Sequence, residues 1–357
     1  MKQLKDFKEE IHKCSKCGLC HQACPIYHIT GNDCSVSRGL FVMLRGVLNG
    51  DLKMTKTINR YLNLCLKCNK CSAFCPSGID AVDIITAAKH EYFKTDFWGK
   101  IFAAIDKSII FGLMLNLAGL FARNKKSKNF DKKVVYFGGC GSKIAGNHSV
   151  VTLMNNMGIE VITPKFSCCG MPFFAKGDFK NYQKYMQNYI KILKRYETKE
   201  IVTACASCEQ IIKNYIKWCK NEDYAKFLSE LKVKNIFEYL KENNYKAELK
   251  EPVSVTYHKP CHTSNIDDIT QLLHNTKNLN YKEMKNFDSC CGLSGLFQIG
   301  EYGIMQKLFE KKHNDIVDTG AECVLTSCKG CEIALKINSH GKYKVYDLIE
   351  FLNKNVV

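Results

Sequence analysis

Eighteen of the 21 cysteines fall into four repeating patterns, and any fold of this chain must bring those thiols together. Two patterns are runs of the form C-x2-C-x2-C-x3-C-P: Cys14, Cys17, Cys20, Cys24 and Pro25, then Cys65, Cys68, Cys71, Cys75 and Pro76. Two are longer: a lone cysteine, a Cys-Cys-Gly, then a C-x2-C. These comprise Cys140, Cys168, Cys169, Cys205 and Cys208, and Cys261, Cys290, Cys291, Cys328 and Cys331. The short runs are offset by 51 residues at all four cysteines, and the long sets by 121 to 123. Offsets this constant mark two internal duplications.

The chemistry follows from the spacing. In C-x2-C-x2-C the backbone wraps a small object so that three sulfurs converge on it. The fourth cysteine, followed by proline, serves the other cluster in two-cluster ferredoxins. On that pattern Cys24 joins the second cluster and Cys75 the first. Structural zinc sites pair two separate C-x2-C knuckles instead, so two 4Fe-4S cubanes are the expectation. In the long sets, adjacent cysteines on an extended chain point to opposite sides. Both reach one metal centre only if the chain turns sharply, which Gly170 and Gly292 permit. Five thiolates per set exceed the four of a cubane, which suggests one or two further, noncubane 4Fe-4S clusters. A redox-active disulfide and a structural zinc are the other readings.

Three cysteines lie outside the patterns. Cys219 and Cys323 read as small buried hydrophobes; Cys34, near the first motif, has a local role open to it. His258 and His262 sit in Tyr257-His258-Lys259-Pro260-Cys261-His262. They are candidates to hydrogen-bond cluster sulfurs or to move a proton, with a structural role as the alternative. No catalytic residue is assigned.

So many thiols in 357 residues without an apolar leader at Met1-Lys-Gln-Leu-Lys suggest reduced cysteines in a cytoplasm rather than disulfides. The formal charge of +17 overstates a loaded protein, since an oxidised cubane with four thiolates carries about −2. The remaining basic excess suits solubility, a membrane surface or an acidic redox partner. No basic stripe is interleaved with stacking aromatics, so nucleic acid is not expected. The most apolar run, residues 108–122, is shorter than the roughly 20 residues a spanning helix needs. Flanked by aromatics and by Arg123, Lys125, Lys126 and Lys128, it reads as a helix packed on the protein or lying at a membrane surface.

The expected architecture is α+β and multi-domain. Residues 1–95 read as an α-helical domain carrying the two short motifs, with a helix from Ser37 capped by serine and stopped at Asn49-Gly50, and a second capped by Thr55. Residues 96–133 read as an apolar helix and basic connector. Residues 134–250 and 251–357 read as two pseudo-symmetric α/β halves. Runs at 134–137, 201–203, 253–257 and 324–326 are strand-like and end just before cysteines, and a helix is expected over Gln210 to Trp218. Alternating strands and helices point to parallel sheets, whose ligands gather beyond the carboxyl ends of the strands.

With these motifs in hand, nearly the whole chain resembles the iron–sulfur subunit of glycolate oxidase. Cys24-Pro25-Ile26-Tyr27, Ser37-Arg38-Gly39, Cys65-Leu66-Lys67-Cys68, Cys75-Pro76-Ser77-Gly78 and Tyr257-His258-x-Pro260-Cys261-His262 are similar to that family. Lys259 and Val36 stand where an acidic residue and a proline are usual. Close relatives are the anaerobic glycerol-3-phosphate dehydrogenase C subunit and heterodisulfide reductase subunits. The resemblance implies a ferredoxin domain joined to two Cys-Cys-Gly domains. It also implies a subunit that relays electrons from a flavoprotein partner, which oxidises a 2-hydroxy acid or glycerol 3-phosphate, towards a quinone or other acceptor. The location implied is cytoplasmic, with the inner face of the membrane open to it. Gly138-Gly139-Cys140-Gly141 is no dinucleotide fingerprint, so no flavin of its own is expected. In heterodisulfide reductases, complete five-cysteine sets hold noncubane clusters that cleave a disulfide, which is the alternative function.

Overall fold

The computed structural model describes residues 2–94, 122–166, 168–264, 266–293 and 302–356. The apolar segment 108–122 lies outside them except for Ala122. The described residues form a mixed helix-and-sheet protein with two parallel four-stranded sheets. They divide into two compact units. The first takes those within Met1–Lys107, Gly170–Tyr182 and Gly292–Glu310; the second takes those within Ser108–Cys169, Gln183–Cys291 and Lys311–Val357.

The first unit contains helices and no strand among its described residues up to 94. Helix Ser37–Asn49 buries Leu40, Phe41 and Leu44 and stops at Gly50, whose φ of 87° is cheap only for glycine. Its N-cap is Val36, and no serine caps it. Ser37 falls one residue past the cap position, and its hydroxyl donates to Cys71 Sγ at 3.2 Å. Thr55 does cap helix Lys56–Asn63, accepting from Ile58 N at 3.3 Å. Arg45 Nη2 reaches back to the carbonyls of Ile11 (2.8 Å), His12 (3.2 Å) and Cys14 (3.0 Å), fixing the entry to the first motif.

The segment Gly170–Tyr182 packs within this same unit. Helix Met171–Lys176 lies against helix Ala81–Phe93. His90 Nδ1 donates to the Gly177 carbonyl at 2.7 Å, and the His90 ring stacks on Phe179 at 4.2 Å. Gly177 has φ 78°, and a Cβ there would lie 2.5 Å from His90 N. Both facts require glycine.

In the second unit, strands β1 (Lys132–Tyr136), β2 (Ile159–Ile162), β3 (Glu200–Thr203) and β4 (Lys232–Asn235) order as β2-β1-β3-β4. Strands β5 (Glu248–Tyr257), β6 (Lys277–Tyr281), β7 (Cys323–Thr326) and β8 (Lys344–Asp347) repeat the pattern as β6-β5-β7-β8. Every pairing is parallel. The two halves share one core. Val134, Val202, Tyr239, Tyr257, Leu325 and Leu352 all belong to it, each worth roughly 1.5–3 kcal/mol if its side chain is fully buried. Helix His148–Asn156 of one half packs on helix Leu348–Asn355 of the other.

The expected helix from Gln210 to Trp218 is two helices, Ala206–Lys213 and Tyr215–Trp218, meeting at Asn214. It also starts earlier than its apolar spacing indicated, because the first turn is given over to the C-x2-C.

Candidate metal centres

Each short motif wraps its cysteines with two residues in the left-handed region. Lys16 (φ 60°) and Gly18 (φ 86°) do so in the first motif, and Lys67 (φ 57°) and Asn69 (φ 62°) in the second. Both pairs sit at the 51-residue offset. A non-glycine residue held there costs of order 1–3 kcal/mol and persists only where its surroundings over-determine it. Two adjacent cavities result, of about 30 Å³ each. One is lined by Cys65, Cys68 and Cys71 together with Cys24. The other is lined by Cys14, Cys17 and Cys20 together with Cys75, with Cys71 also at its wall. The sulfurs already attract donors: Lys67 N points at Cys65 Sγ at 3.4 Å, as Ser37 does at Cys71. Burial pushes the Cys24 thiol up to about 11 and Cys71 to about 12. Exposed Cys17 is lowered, chiefly by the backbone N–H of Leu19. Two buried lysines, Lys67 and Lys89, stand near Cys65. Burial lowers both ammonium groups, while the Cys65 charge acts in the opposite sense.

The long sets are built at the switch points of the two sheets. Where order reverses between the first strand and the third, their carboxyl ends leave a crevice that collects ligands. Cys140 follows β1 and Cys205 follows β3; Cys261 follows β5 and Cys328 follows β7. Cys205 and Cys328 are the N-caps of helices Ala206–Lys213 and Lys329–Asn338. Cys208 and Cys331 then fall three residues on, on the same helix face. A helix N-terminus presents free N–H groups and a positive dipole end, so thiolates are favoured there. Gly170 (φ 81°) and Gly292 (φ 83°) make the turn after each Cys-Cys pair.

The ten cysteines are not two separate groups. Cys140 interacts with Cys168, and Cys208 with both Cys169 and Cys205. Cys205 in turn meets Cys328 of the other half. Cys328 meets Cys331, whose sulfur lies 3.2 Å from Cys291. The crossing is reinforced by Ala206 N donating to the Ser327 carbonyl at 3.1 Å, and by Ser207 Oγ, 3.0 Å from His262 Nδ1 and 3.4 Å from Cys328 Sγ. Neighbouring thiols and burial raise Cys140, Cys208 and Cys331, and hydrogen bonds from Cys205 and Cys331 lower Cys328. Loading metal must therefore displace protons from Cys140, Cys208 and Cys331. Cys261 and Cys290 complete the second set, half-buried and buried respectively.

His258 is fully buried, and among the described residues neither ring nitrogen has a hydrogen-bond partner. Its ligating nitrogen lies within 4.8 Å of the sulfurs of Cys291 and Cys331. Burial drives its pKa down to about 3, so the ring is neutral. Of the unpatterned cysteines, Cys323 is buried in β7 and Cys219 donates to the Asn221 carbonyl at 3.4 Å. The backbone N–H of Cys34 is held by Asn32 at 2.9 Å.

The cysteine patterns did not single out two glutamates, one immediately after each C-x2-C. Glu209 and Glu332 are buried at 2% and 3% exposure, and are 123 residues apart, as are Cys208 and Cys331. Glu209 accepts from Lys213 (2.6 Å), Asn235 (3.0 Å) and Ser264 of the other half (2.8 Å). Glu332 accepts from Lys329 (2.6 Å) and from Lys336. The offset that pairs the cysteines would have found them. It does not reach Asn235 and Asp347, which end β4 and β8 and cap the helices that follow.

The donor sets fit iron–sulfur clusters: converging sulfurs, backbone and hydroxyl donors aimed at them, and thiolate positions at helix N-termini. The fold and these centres define an iron–sulfur electron-transfer protein. The 4Fe-4S dicluster domain family matches residues 10–79, and the cysteine-rich domain family matches 134–213 and 255–336. The chain belongs to the iron–sulfur oxidoreductase subunits that join a 4Fe-4S dicluster domain to two cysteine-rich domains. It is 24% identical to a "Probable glycolate oxidase iron-sulfur subunit" of Bacillus subtilis, covering 99% of this chain and 97% of that one. It is 23% identical to the "Glycolate oxidase iron-sulfur subunit" of Escherichia coli, over 96% of this chain and 94% of that one. It is 27% identical to "Lactate utilization protein A" of Bacillus thuringiensis, over 57% and 90%. Among solved structures, an aspartate racemase from Picrophilus torridus overlaps 62% of this chain at TM-score 0.26 and 13% identity, too low to carry weight.

Proposed function

We propose that the chain is the electron-transfer subunit of a flavoprotein dehydrogenase acting on a 2-hydroxy acid of the glycolate or lactate type, or on glycerol 3-phosphate. Its ligands are Cys14, Cys17, Cys20 and Cys75 for one cubane, and Cys65, Cys68, Cys71 and Cys24 for the other. Cys140, Cys168, Cys169, Cys205 and Cys208 hold a further, noncubane cluster, and Cys261, Cys290, Cys291, Cys328 and Cys331 another. Bound clusters supply one-electron storage and transfer. The chain's own residues hold them and place the two long sets side by side. The reading assigns residues 1–95 to an α-helical ferredoxin domain, 96–133 to a connector, and 134–250 and 251–357 to the two Cys-Cys-Gly halves.

The observation that carries this reading is the pair of adjoining cavities, one lined by three second-motif cysteines with Cys24, the other by three first-motif cysteines with Cys75 and, at its wall, Cys71. Such an arrangement serves two clusters close enough to exchange electrons. The partners are a flavoprotein subunit and a quinone-linked acceptor, with the chain in the cytoplasm, peripheral to the membrane. Among the described residues no helix is long and apolar enough to cross a membrane. The test is anaerobic affinity purification from the native source with flavin, iron and sulfide analysis. A flavoprotein must co-purify, and substrate must bleach the cluster absorbance of the complex but not of this chain alone. Bleaching by substrate of the flavin-free chain overturns the reading.

The contact between Cys205 and Cys328 favours a second reading, disulfide reduction where the two five-thiol sets meet. It requires a disulfide substrate to alter the paramagnetic signal of the long-set clusters and to be turned over. If turnover survives Cys290→Ser, this reading fails.

A further inference from the structure

The two Cys-Cys-Gly sets repeat almost residue for residue, yet their walls differ in one respect. Beside Cys169 and Cys208 the first half places aromatic rings. Phe137 lies 4.8 Å from Phe166 and 5.4 Å from Tyr189, centroid to centroid, and Tyr189 lies 5.4 Å from Tyr215. A Cβ built at Gly139 would touch both Cys208 Sγ and the Phe137 ring, so that ring lines the ligand sulfur. Adding the 121-residue offset of Cys140 and Cys261 to Phe137 gives His258. Helices Phe179–Leu193 and Tyr302–Asp318 start 123 residues apart, and the same shift turns Tyr189 into Lys312.

Lys312 is fully buried, with Nζ 2.5 Å from the Asn286 carbonyl and 3.4 Å from Met284 Sδ. Burial lowers its ammonium to about 8, while Asp315, Asp288 and the nearby Cys290 and Cys291 act to keep it charged. Asp288 and Asp315 are partly solvated, and Asp315 is engaged by Asn286 at 2.8 Å, so water screens them better than it screens the buried ammonium. Carboxylates stand near both sets, and those near Cys205 share their cavity with a lysine. Asp347 and Glu350 join Tyr136, Cys205 and Lys329 around one cavity of about 50 Å³.

We propose that Lys312 and His258 give the second Cys-Cys-Gly centre a higher reduction potential than the first, making it the electron sink of the pair. Reduction adds one negative charge to a cluster. A buried cation and an imidazole N–H without a partner among the described residues stabilise that charge; at the equivalent places the first half offers the Phe137 ring and only a neutral donor, the buried hydroxyl of Tyr189. One electron leaves the first centre, which is oxidised, and one enters the second, which is reduced; no bond changes. The inference rests on the reading that each long set holds a cluster.

The experiment is potentiometric titration of the anaerobic holoprotein followed by paramagnetic resonance, with iron and sulfide counted per chain. Wild type is expected to show two long-set signals with different midpoints. Lys312→Met is expected to lower only the higher one by at least tenfold in equilibrium constant, about 59 mV for one electron. His258→Phe, which installs the residue of the other half, lowers the same signal, and Phe137→His raises the lower one. Coincident midpoints in wild type, or variants with full iron and unmoved midpoints, overturn the inference. Iron and sulfide too low for clusters in both long sets overturn the cofactor reading instead. If Lys312→Met does not accumulate, the His258→Phe and Phe137→His pair decides.

Discussion

Tyr215 buries its hydroxyl and donates it to the Cys169 carbonyl at 2.7 Å, tying the Cys-Cys turn to helix Tyr215–Trp218. Tyr215→Phe leaves that buried carbonyl without this donor, and a loss of about 1–3 kcal/mol is expected. Urea unfolding should show a lower midpoint at unchanged slope. Asp347 makes a prediction of opposite character. Burial raises its carboxyl to about 7, although Lys329 opposes the shift. The folded state therefore holds a proton that the unfolded state releases near pH 3.8. Stability from this group is present below that pH and is lost as pH rises towards 7. Asn235 caps the equivalent helix in the first half, so Asp347→Asn should keep the cap. Thermal unfolding from pH 4 to 8 should then show a flatter stability profile in the variant. A slope matching wild type would refute the assignment.

At the scale of elements, the chain's short-range signals were readable because they are local. Thr55 was recognisable as a cap, Gly50 as a stop, and the strand-like runs before cysteines as strands, since each depends on a few neighbours. The serine cap of helix Ser37–Asn49 was misread because Val36 takes the cap position between Ser35 and Ser37, and a one-residue difference in a helix start is not fixed by apolar spacing. The left-handed residues divide the same way: Gly18 announces itself, whereas Lys67 does not. Gly177 is an element-scale test. Gly177→Ala sets a Cβ against the backbone of helix Ala81–Phe93 at a positive φ, and a loss beyond the ~1 kcal/mol of conformation alone is expected. Calorimetry would show a lower transition temperature. Thr55→Ala should cost about 1 kcal/mol, and an unchanged transition would show that the cap is redundant.

For the molecule as a whole, the repeating cysteines were legible and the way they gather was not. Spacing named all eighteen patterned cysteines. The meeting of Cys205 with Cys328, and of Glu209 with Ser264, is long-range pairing that no local pattern encodes. Lys312 looked like any helical lysine until the packing enclosed it. Because so many buried thiols must give up protons to hold metal, cluster and fold are thermodynamically linked. Anaerobic removal of iron by a chelator should lower the unfolding temperature, and by less at acid pH, where protons compete with metal for the thiolates and the loaded protein is stabilised less. Scanning calorimetry of matched loaded and stripped samples checks this. An unchanged transition would show the folded chain to be independent of its metal.

The first unit also has a consequence for synthesis. Its pieces are scattered along the chain, the last of them ending at Glu310. At about 5–20 residues per second, the earliest cysteines wait for tens of seconds on the ribosome before their unit has all its parts. The residues lining their two cavities are made early, between 14 and 85, but the later pieces of the unit, Gly170–Tyr182 and Gly292–Glu310, are still missing through that interval. The order of manufacture thus sets a window in which oxygen or a stray metal can reach the first two motifs, and cluster delivery has to guard it.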